Sequence, residues 1–356
     1  MKNFTVLSAV EQIAEHLRKA ILSGELQNTM PGVRSLATTL GVNHKTINAA
    51  LAQLEKKGLL ISQGQGLPRE IVLPEDHTPP GLRIAILDFD SQSQGVNYMI
   101  DLRRRLEATG HLPFFTKKCL KSLGSDTTRI ARYVKQISAE AWIIGAGHRE
   151  ILEWFAKQEK PAFAMFGGYD QVPIAATGPD KATPLAEVTR HLLALGHRRI
   201  SFIARHEVRH PKPAKGILAF LNELEAAGIT TGAFNLPNWE ETREGFGRLL
   251  ESFFNGPTPP TALILDEAFE FNACYHFISQ RGLRIPNDIS LVCTDYDPEL
   301  GWCKPPVSHI SWDYRPVVRR IVSWANNVAK GKDDREQYIT KAEFVKGGTI
   351  GLARTF

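Results

Sequence analysis

The stretch GVNHKTINAALAQLEKKGLL, residues 41–60, combines two unlike halves. Its first turn carries polar or basic side chains at Asn43, His44, Lys45, Thr46 and Asn48. Apolar residues recur at helical spacing through the rest, at Ile47, Ala50, Leu51 and Leu54. The pattern predicts an amphipathic helix from about Asn43 to Lys57, which Gly58 ends. We expect its apolar face to be anchored while its first turn stays free to contact something outside the chain.

The segments around this helix predict a small domain of helices followed by a hairpin. Ser8 and Glu11 form a capping-box pattern at the start of a first helix. Met30-Pro31 starts a short second helix that Gly41 ends. Two short strands, at 60–63 and 70–73, are joined by the flexible segment 64–66. This order predicts a winged helix-turn-helix domain over residues 1–73.

A different pattern begins after residues 74–81, PEDHTPPG, which form a proline-rich polar linker. Apolar strands alternate with amphipathic helices, as in RIAIL, AWIIGA, AFAMFG, RISFIA, TALILD and ISLVCT. Continuous apolar strands separated by helices predict parallel sheets that are covered on both faces. Because residues 82–356 are too many for one sheet, we expect two similar lobes with a cleft between them. The predicted fold class is therefore α/β, with a winged helix-turn-helix joined to a two-lobed domain.

Composition narrows the class of protein. The chain has 356 residues, of which 43% are hydrophobic and 23% are charged, as in globular proteins that fold in water. The first residues include glutamates where a secretory signal would be apolar, and the sequence has no apolar run long enough to span a membrane. The four cysteines form no CxxC pair, which fits a reducing compartment. We expect a cytoplasmic protein that does not bind a membrane.

Charge is distributed unevenly along the chain. Residues 1–72 hold eight Lys and Arg against five Glu, a balance of +3, whereas residues 73–356 hold 35 against 33, a balance of +2. We call the N-terminal domain, residues 1–73, the head and residues 82–356 the body. A small basic head on a nearly neutral body favours an anionic partner at the head.

The motifs of the head resemble a known family. MPGVRSLATTLGVNHKTINAALAQLEKKGLL resembles the core of the GntR family of bacterial transcription regulators. In the body, HLLALGHRRISFIA and RGLRIPNDISLVCTDYD resemble the effector-binding core of LacI-type repressors and periplasmic binding proteins. The combined resemblance implies a sequence-specific DNA-binding transcription regulator, acting as a repressor, with a periplasmic-binding-protein-like domain that binds a small molecule.

The resemblance also implies which residues meet double-stranded DNA. In a helix-turn-helix the second helix enters the major groove with its N-terminal residues toward the bases. The implied DNA contacts are Arg34, Asn43, His44, Lys45, Thr46 and Asn48, with Gly64, Gln65 and Gly66 as the wing. His44 and Asn48 stand where the family often has arginine. The alternative is that Asn43 only caps the helix and its neighbours only face water. Two heads one helical turn apart on DNA would combine their affinities, so we expect a homodimer whose interface lies mainly in the body.

Ligand contacts are expected where the carboxyl ends of strands face the cleft. Asp88, Asp266 and Asp295 each follow an apolar strand, and Trp239 and Tyr169 are the aromatic candidates. Carboxylates and a stacking ring suit a sugar-like effector. Alternatively, these aspartates cap helices and Trp239 belongs to the core. An arginine that the LacI-type family often carries is replaced by Pro213, and Arg205 or Lys215 could substitute for it.

The sequence also contains a motif that is typical of a different function. HEVRH, residues 206–210, matches the zinc-hydrolase pattern HExxH, but the prolines at 211 and 213 disfavour the helix which that chemistry needs. The sequence has no Walker A, GxGxxG or GxSxG motif. A solute-binding receptor is the remaining alternative. We expect no enzyme activity, no cofactor and no metal.

Overall fold

A computed structural model describes residues 8–22, 26, 29–64, 67–72, 81–210, 212–295 and 297–354. Its N-terminal head contains helices α1 (Ala9–Leu22), α2 (Val33–Leu40) and α3 (His44–Lys56), followed by strands β1 (Leu60–Ile61) and β2 (Glu70–Ile71). The two strands pair antiparallel, and Thr29 adds a bridge to Glu70. The winged helix-turn-helix order predicted from the sequence is confirmed.

The ends of the head helices follow local chemistry. The backbone N–H of Ser8 donates to Glu11 Oε2 at 2.7 Å, as a capping box requires. Gly41 ends α2 in the left-handed conformation, with φ at 64°. However, α2 starts at Val33 and not at Met30, because the Met30 N–H donates to the Arg69 carbonyl at 2.8 Å and so ties that residue to the hairpin.

Both predicted hairpin strands are shorter in the structure. Strand β1 ends at Ile61 and β2 ends at Ile71, whereas the sequence suggested 60–63 and 70–73. Leu73 lies outside the described residues, as does the predicted linker except for Gly81.

The first lobe of the body alternates strands and helices as predicted. Its elements are β3 (Arg83–Leu87), α4 (Asn97–Ala108), β4 (Leu112–Phe115), α5 (Thr127–Val134), β5 (Ala141–Gly145), α6 (Arg149–Ala156), β6 (Ala162–Met165) and β7 (Ala175–Pro179). Short 3-10 turns occupy Ser91–Gly95 and Lys121–Leu123.

The second lobe repeats the alternation. Its elements are α7 (Ala182–Ala194), β8 (Ile200–Ile203), α8 (His206–Arg209), α9 (Lys215–Ala226), α10 (Arg243–Asn255), β9 (Ala262–Leu265), α11 (Ala268–Gln280), β10 (Ser290–Cys293) and β11 (Ser308–Trp312), with a 3-10 turn at Pro298–Trp302. The chain then runs through α12 (Tyr314–Ala329), β12 (Gln337–Thr340) and β13 (Ala342–Val345).

Each lobe is built on its own sheet. The first sheet has the order β12-β7-β6-β5-β3-β4, and its described pairings are all parallel. The second has the order β13-β11-β10-β9-β8, in which β13 pairs antiparallel with β11. The chain therefore crosses between the lobes after β7, after β11 and between β12 and β13. This confirms the two-lobed parallel-sheet architecture and places the carboxyl ends of β3, β8, β9 and β10 toward the cleft.

Burial accounts for the apolar strands. Strand β5 is buried along its whole length, as are β8, β9 and β10. Helices cover these strands on both faces, so alternation of polar and apolar residues along them is absent. None of the described helices is both long and apolar enough to cross a membrane.

Candidate functional site

The first turn of α3 begins with a capped end. Asn43 precedes the helix in an extended conformation, and its Oδ1 accepts hydrogen bonds from the Thr46 N–H at 2.8 Å and the Thr46 hydroxyl at 2.9 Å. The capping role considered as an alternative is therefore present for Asn43. The same bonds fix the backbone at the start of the helix.

The two faces of α3 differ as the sequence predicted. Ile47, Leu51 and Leu54 are fully buried against α1, α2 and β1. His44 and Lys45 are exposed, as are Asn43 and Asn48, whereas Thr46 is half-buried. The apolar face thus anchors the helix while its N-terminal turn faces outward.

Basic side chains near this turn have no acidic partner within the described residues. Arg34 on α2 and Lys45 on α3 are both exposed, and neither forms an ion pair there. By contrast, Arg18 pairs with Glu15 at 2.9 Å and Arg69 pairs with Glu55. A shallow depression between α2 and α3 is lined by Ala37, Thr38, Val42, Asn43, His44 and Lys45. The surface around the turn can therefore offer both positive charge and hydrogen-bonding groups to a phosphate backbone.

The predicted wing is described in part. Gly64 has a φ of 116°, a conformation that favours glycine, and Gln63 Nε2 donates to Glu70 Oε2 at 2.6 Å across the hairpin. Gln65 and Gly66 lie outside the described residues.

In the body, charged side chains gather where three neighbouring strands end. Arg205 follows β8, Asp266 follows β9 and Asp295 follows β10. Arg205 Nε lies 3.1 Å from Asp266 Oδ2 and 2.9 Å from Glu267 Oε1. The Thr294 hydroxyl also donates to Asp266 Oδ1, at 3.1 Å. Of the two cations that could replace the family arginine, Arg205 is the one in this cluster.

Burial and charge set the ionisation of these carboxyls in opposite directions. Burial is the largest effect on Asp266 and disfavours its charged form, but the charges of Arg205 and Lys181 and the hydrogen bonds from Arg205 and Thr294 together hold the pKa of Asp266 below its usual value. Burial raises the pKa of Glu267 to about 7, against the opposing effect of Arg205. Burial, with Asp266 and Glu267 nearby, raises the pKa of Glu270 to about 9. Glu270 is therefore protonated at neutral pH, at the start of α11.

Aromatic rings from both lobes meet at the same cleft, with Tyr98 and Phe166 from the first lobe and Trp312 from the end of β11. The Tyr98 ring lies 5.7 Å from that of Phe166 and 6.1 Å from that of Trp312, and the last two are 5.5 Å apart. Burial raises the pKa of Tyr98, and the charges of Asp88, Asp295 and Glu267 add to the effect. Tyr98 of the first lobe therefore lies within electrostatic reach of Asp295 and Glu267 of the second lobe.

Arg205 also contacts the first lobe. Its guanidinium lies over the Phe89 ring, 5.9 Å from the ring centroid. Asp88, beside it, is buried, and its Oδ1 accepts the Phe89 N–H at 2.8 Å. The cleft thus joins Asp88 and Phe89 of one lobe to Arg205, Asp266 and Glu267 of the other.

The two predicted aromatic contacts have partners within their own lobes. Trp239 is half-buried, its Nε1 donates to the Ala204 carbonyl at 3.0 Å, and its ring packs 5.5 Å from Phe246. Tyr169 is also half-buried, and burial raises its pKa. Cleft contact by these two residues stays a prediction.

Sequence reasoning did not single out Glu267, Phe89, Tyr98, Phe166 or Trp312. Glu267 and Phe89 are direct neighbours of predicted aspartates, so extending each strand end by one residue would have found them. The other three come from α4, the loop after β6 and the end of β11. No local motif marks them, because only the crossing of the chain between the lobes brings them together.

HEVRH forms one helical turn, α8, followed by an extended residue. His210 has φ −124° and ψ 152°, so the helix stops before the proline as expected. The rings of His206 and His210 lie 4.5 Å apart, but the described residues contain no group of three His, Cys, Asp or Glu side chains that could hold a metal ion. The geometry gives the zinc-hydrolase alternative no support.

Comparison with known families finds two matches along the chain. Residues 9–66 match the family described as bacterial regulatory proteins, gntR family. Residues 189–350 match the periplasmic binding protein-like domain. The chain joins a GntR-type head to a periplasmic-binding-protein-like body.

Individual relatives are similar to part of the chain. The chain is 24% identical to the HTH-type transcriptional repressor CytR of Escherichia coli K12 over 132 residues, which are 37% of this chain and 38% of CytR. The chain thus matches less than half the length of that relative.

Solved structures share the fold of the body. The Lac repressor dimer bound to operator and the anti-inducer ONPF superposes with a TM-score of 0.63 at 17% identity, covering 79% of this chain and 99% of that one. A LacI family regulator from Enterococcus faecium with bound ribose gives 0.60 at 15% identity, covering 76% and 100%. At these identities the likeness concerns fold alone.

Proposed function

We propose that the protein is a cytoplasmic, sequence-specific DNA-binding transcription regulator that acts as a repressor and responds to a small-molecule effector. The observation that carries the proposal is the anchored α3, whose buried face includes Ile47 and Leu51 and whose exposed first turn presents His44 and Lys45. A helix held in this way can enter the major groove without losing its packing.

Each part of the exposed turn would have a distinct task on duplex DNA. Asn48 can pair with the edge of a base, since an amide side chain matches the donor and acceptor of adenine. Lys45 and Arg34 would neutralise phosphates and fix the position of the head. The Asn43 cap would keep the backbone of the turn rigid, so that little backbone freedom is lost on binding.

We propose that the effector binds in the cleft and is sugar-like. The carboxylates at the strand ends can accept hydroxyl hydrogens, and the aromatic rings can cover an apolar face. A ligand that binds one lobe arrangement better than another shifts the equilibrium between them. Coupling of about 1–3 kcal/mol, the usual range, would change DNA affinity about five- to 150-fold.

A homodimer held by the body would bring two heads to two half-sites about 34 Å apart. The body exposes large apolar side chains that suit such a contact, among them Ile100, Leu112, Phe269 and Trp302. Trp302 is 89% exposed. Sedimentation of the wild type and of Trp302→Ser tests whether the body forms a homodimer. A wild-type monomer at micromolar concentration would contradict the homodimer.

The test of DNA reading is selection of genomic fragments by purified protein. We expect the wild type to enrich a narrow set of fragments, and Arg34→Ala and Lys45→Ala to lose them. Lys56→Ala is the matched control, because Lys56 is an exposed lysine at the far end of the same helix. Random enrichment by the wild type, or equal loss in the control, would overturn the proposal.

The cleft is tested separately by a thermal-shift screen of sugars against the wild type and Asp295→Ala. We expect a stabilising sugar whose effect weakens in the variant. Hits with equal shifts in both proteins would count against Asp295 as a ligand contact.

A further inference from the structure

Two helices of the first lobe start at the cleft and run side by side. Tyr98 is the second residue of α4, and α12 begins two residues after Trp312. The rings of Tyr98 and Trp312 lie 6.1 Å apart. The helices pack against each other through a shared core that includes Leu102, Leu106 and Ile321. Their N-terminal ends therefore meet at the aromatic lining of the cleft.

The same helices meet again at their other ends. His111, which follows α4, lies with its Nε2 3.1 Å from Oδ1 of Asn326 on α12. The Leu82 N–H donates to His111 Nδ1, also at 3.1 Å. Because Nδ1 accepts this bond, the neutral ring carries its proton on Nε2 and donates it to Asn326. Burial lowers the pKa of His111, so the ring stays neutral at neutral pH.

Leu82 is the point at which the chain from the head enters the body. Its N–H is held by His111, and its carbonyl accepts the Leu112 N–H at 2.8 Å. Just before it, Gly81 lies so close to the start of β4 that a Cβ added there would meet the Gly110 carbonyl oxygen at 1.6 Å. The entering chain is thus clamped onto the end of α4 and, through His111, onto α12.

The distances suit a rigid connection. Helix α4 has 12 residues, so it spans about 18 Å at 1.5 Å per residue. The stretch of α12 from Tyr314 to Asn326 spans about the same length. Trp312 ends β11, the strand after which the chain leaves the second lobe, so a change in the angle between the lobes acts directly on the start of α12.

We propose that α4 and α12 form a paired strut that connects the cleft to the entry of the body, with His111 as the positioning residue that grips the chain arriving from the head. The proposal rests on the proposed function, because it names the route by which the effector cleft would influence the DNA-reading head. A rigid two-helix element whose two ends both make specific contacts can pass on a small shift at the hinge.

The direct measurement is hydrogen exchange of the Leu82 amide in the full-length protein, which needs neither DNA nor effector. We expect Asn326→Ala to speed this exchange about two- to tenfold, as loss of one supporting hydrogen bond predicts. His111→Asn, which can keep an acceptor near the Nδ1 position, should exchange more slowly than His111→Ala. Equal rates in these two variants would show that His111 does not grip Leu82 through Nδ1.

Transmission is tested from the other end. Trp312→Leu at the cleft should change the exchange rate at Leu82 by a similar factor, while the Leu291 amide, bonded to the Thr349 carbonyl at 2.8 Å in the second lobe, keeps its rate. The matched control is His197→Asn, since His197 is also buried and bonded, to Thr261 Oγ1 at 2.9 Å and the Gly351 carbonyl at 3.0 Å, but within the second lobe. Tyr98→Leu replaces Trp312→Leu if the latter does not fold.

An unchanged Leu82 rate in the cleft variants, or an equal change in the His197 control, would overturn the strut. Failure of the proposed function is a separate result, because it appears as a wild-type protein that enriches no DNA fragment.

Discussion

The head and the cleft present their functional side chains in opposite ways. In the head, the side chains proposed to meet DNA come from two consecutive helices, α2 and α3, and are exposed. A buried apolar face behind them holds these helices in place. In the cleft, the charged and aromatic groups come from distant segments and are largely buried against one another, as Arg205, Asp266 and Glu267 show. A surface that must enter a groove can be local, whereas a pocket that must enclose a small molecule has to be assembled.

This difference predicts different responses to substitution. Head variants should separate cleanly into those that unfold the domain and those that only impair DNA binding. Cleft variants should change stability, pH dependence and ligand binding together, because the same groups serve all three.

The largest effect should come from the anchor of α3. Leu51 is fully buried, so Leu51→Ala should lower the free energy of unfolding of the head by about 2–5 kcal/mol and remove DNA binding with it. Asn48→Ala, at an exposed position of the same helix, should change that free energy by less than about 0.5 kcal/mol while still impairing DNA binding. Chemical denaturation and DNA-fragment binding of both variants check this contrast. Equal losses in the free energy of unfolding for Leu51→Ala and Asn48→Ala would contradict it.

The next effect concerns a buried acid beside the cleft. The folded-state pKa of Glu270 is raised to about 9 from an ordinary 4.5, so the folded protein holds a proton that the unfolded chain releases. The free energy of unfolding that this bound proton contributes is fully present below about pH 4.5 and is lost as the pH rises to about 9. Glu270→Gln keeps the shape without the titration and should raise the free energy of unfolding by up to about 3 kcal/mol at pH 7.

Unfolding of this variant and the wild type at several pH values provides the check. The wild type should lose stability relative to Glu270→Gln as the pH increases. Glu251→Gln, at an exposed position on α10, should follow the wild type at every pH. A Glu270→Gln protein that is less stable than the wild type at pH 7 would show that Glu270 is ionised in the fold.

A smaller effect separates capping from reading at Asn43. Asn43→Ala should lower the free energy of unfolding of the head by about 1 kcal/mol, because Thr46 loses its acceptor. Asn43→Asp keeps the acceptor and should keep the stability, but it adds a negative charge where phosphates would lie and should weaken DNA binding. If Asn43→Asp bound DNA as tightly as the wild type, this end of α3 would not face the phosphates.

The smallest change is expected in the salt dependence of binding. Lys45→Ala should reduce the slope of log affinity against log salt concentration by about 1, since one phosphate contact is lost. Titration of a selected fragment at several salt concentrations measures the slope, and Lys56→Ala should leave it unchanged. Identical slopes for Lys45→Ala and the wild type would remove Lys45 from the contact.

The sequence predicted the head more fully than the cleft, for a physical reason. Helical periodicity fixed which residues of α3 are buried, and local caps fixed its ends. It misplaced the start of α2, because the hydrogen bond from Met30 to Arg69 joins residues far apart in the chain. In the body, strand ends marked Asp266 and Asp295. The pairing of Arg205 with Glu267 depends on β8 and β9 being neighbours in the sheet, and the meeting of Tyr98 with Trp312 depends on how the lobes face each other. No spacing rule within one segment contains that information.

The central claim is that the first turn of α3 contacts duplex DNA, and site-specific photo-crosslinking tests it most directly. A benzophenone-bearing amino acid would be placed at position 45 in one protein and at position 56 in another, and each would be irradiated with a fragment selected by the wild type. We predict efficient crosslinks to DNA from position 45 and few from position 56. Equal crosslinking from both positions, or none from position 45 while the protein remains bound, would contradict the assignment of this turn as the DNA-reading surface.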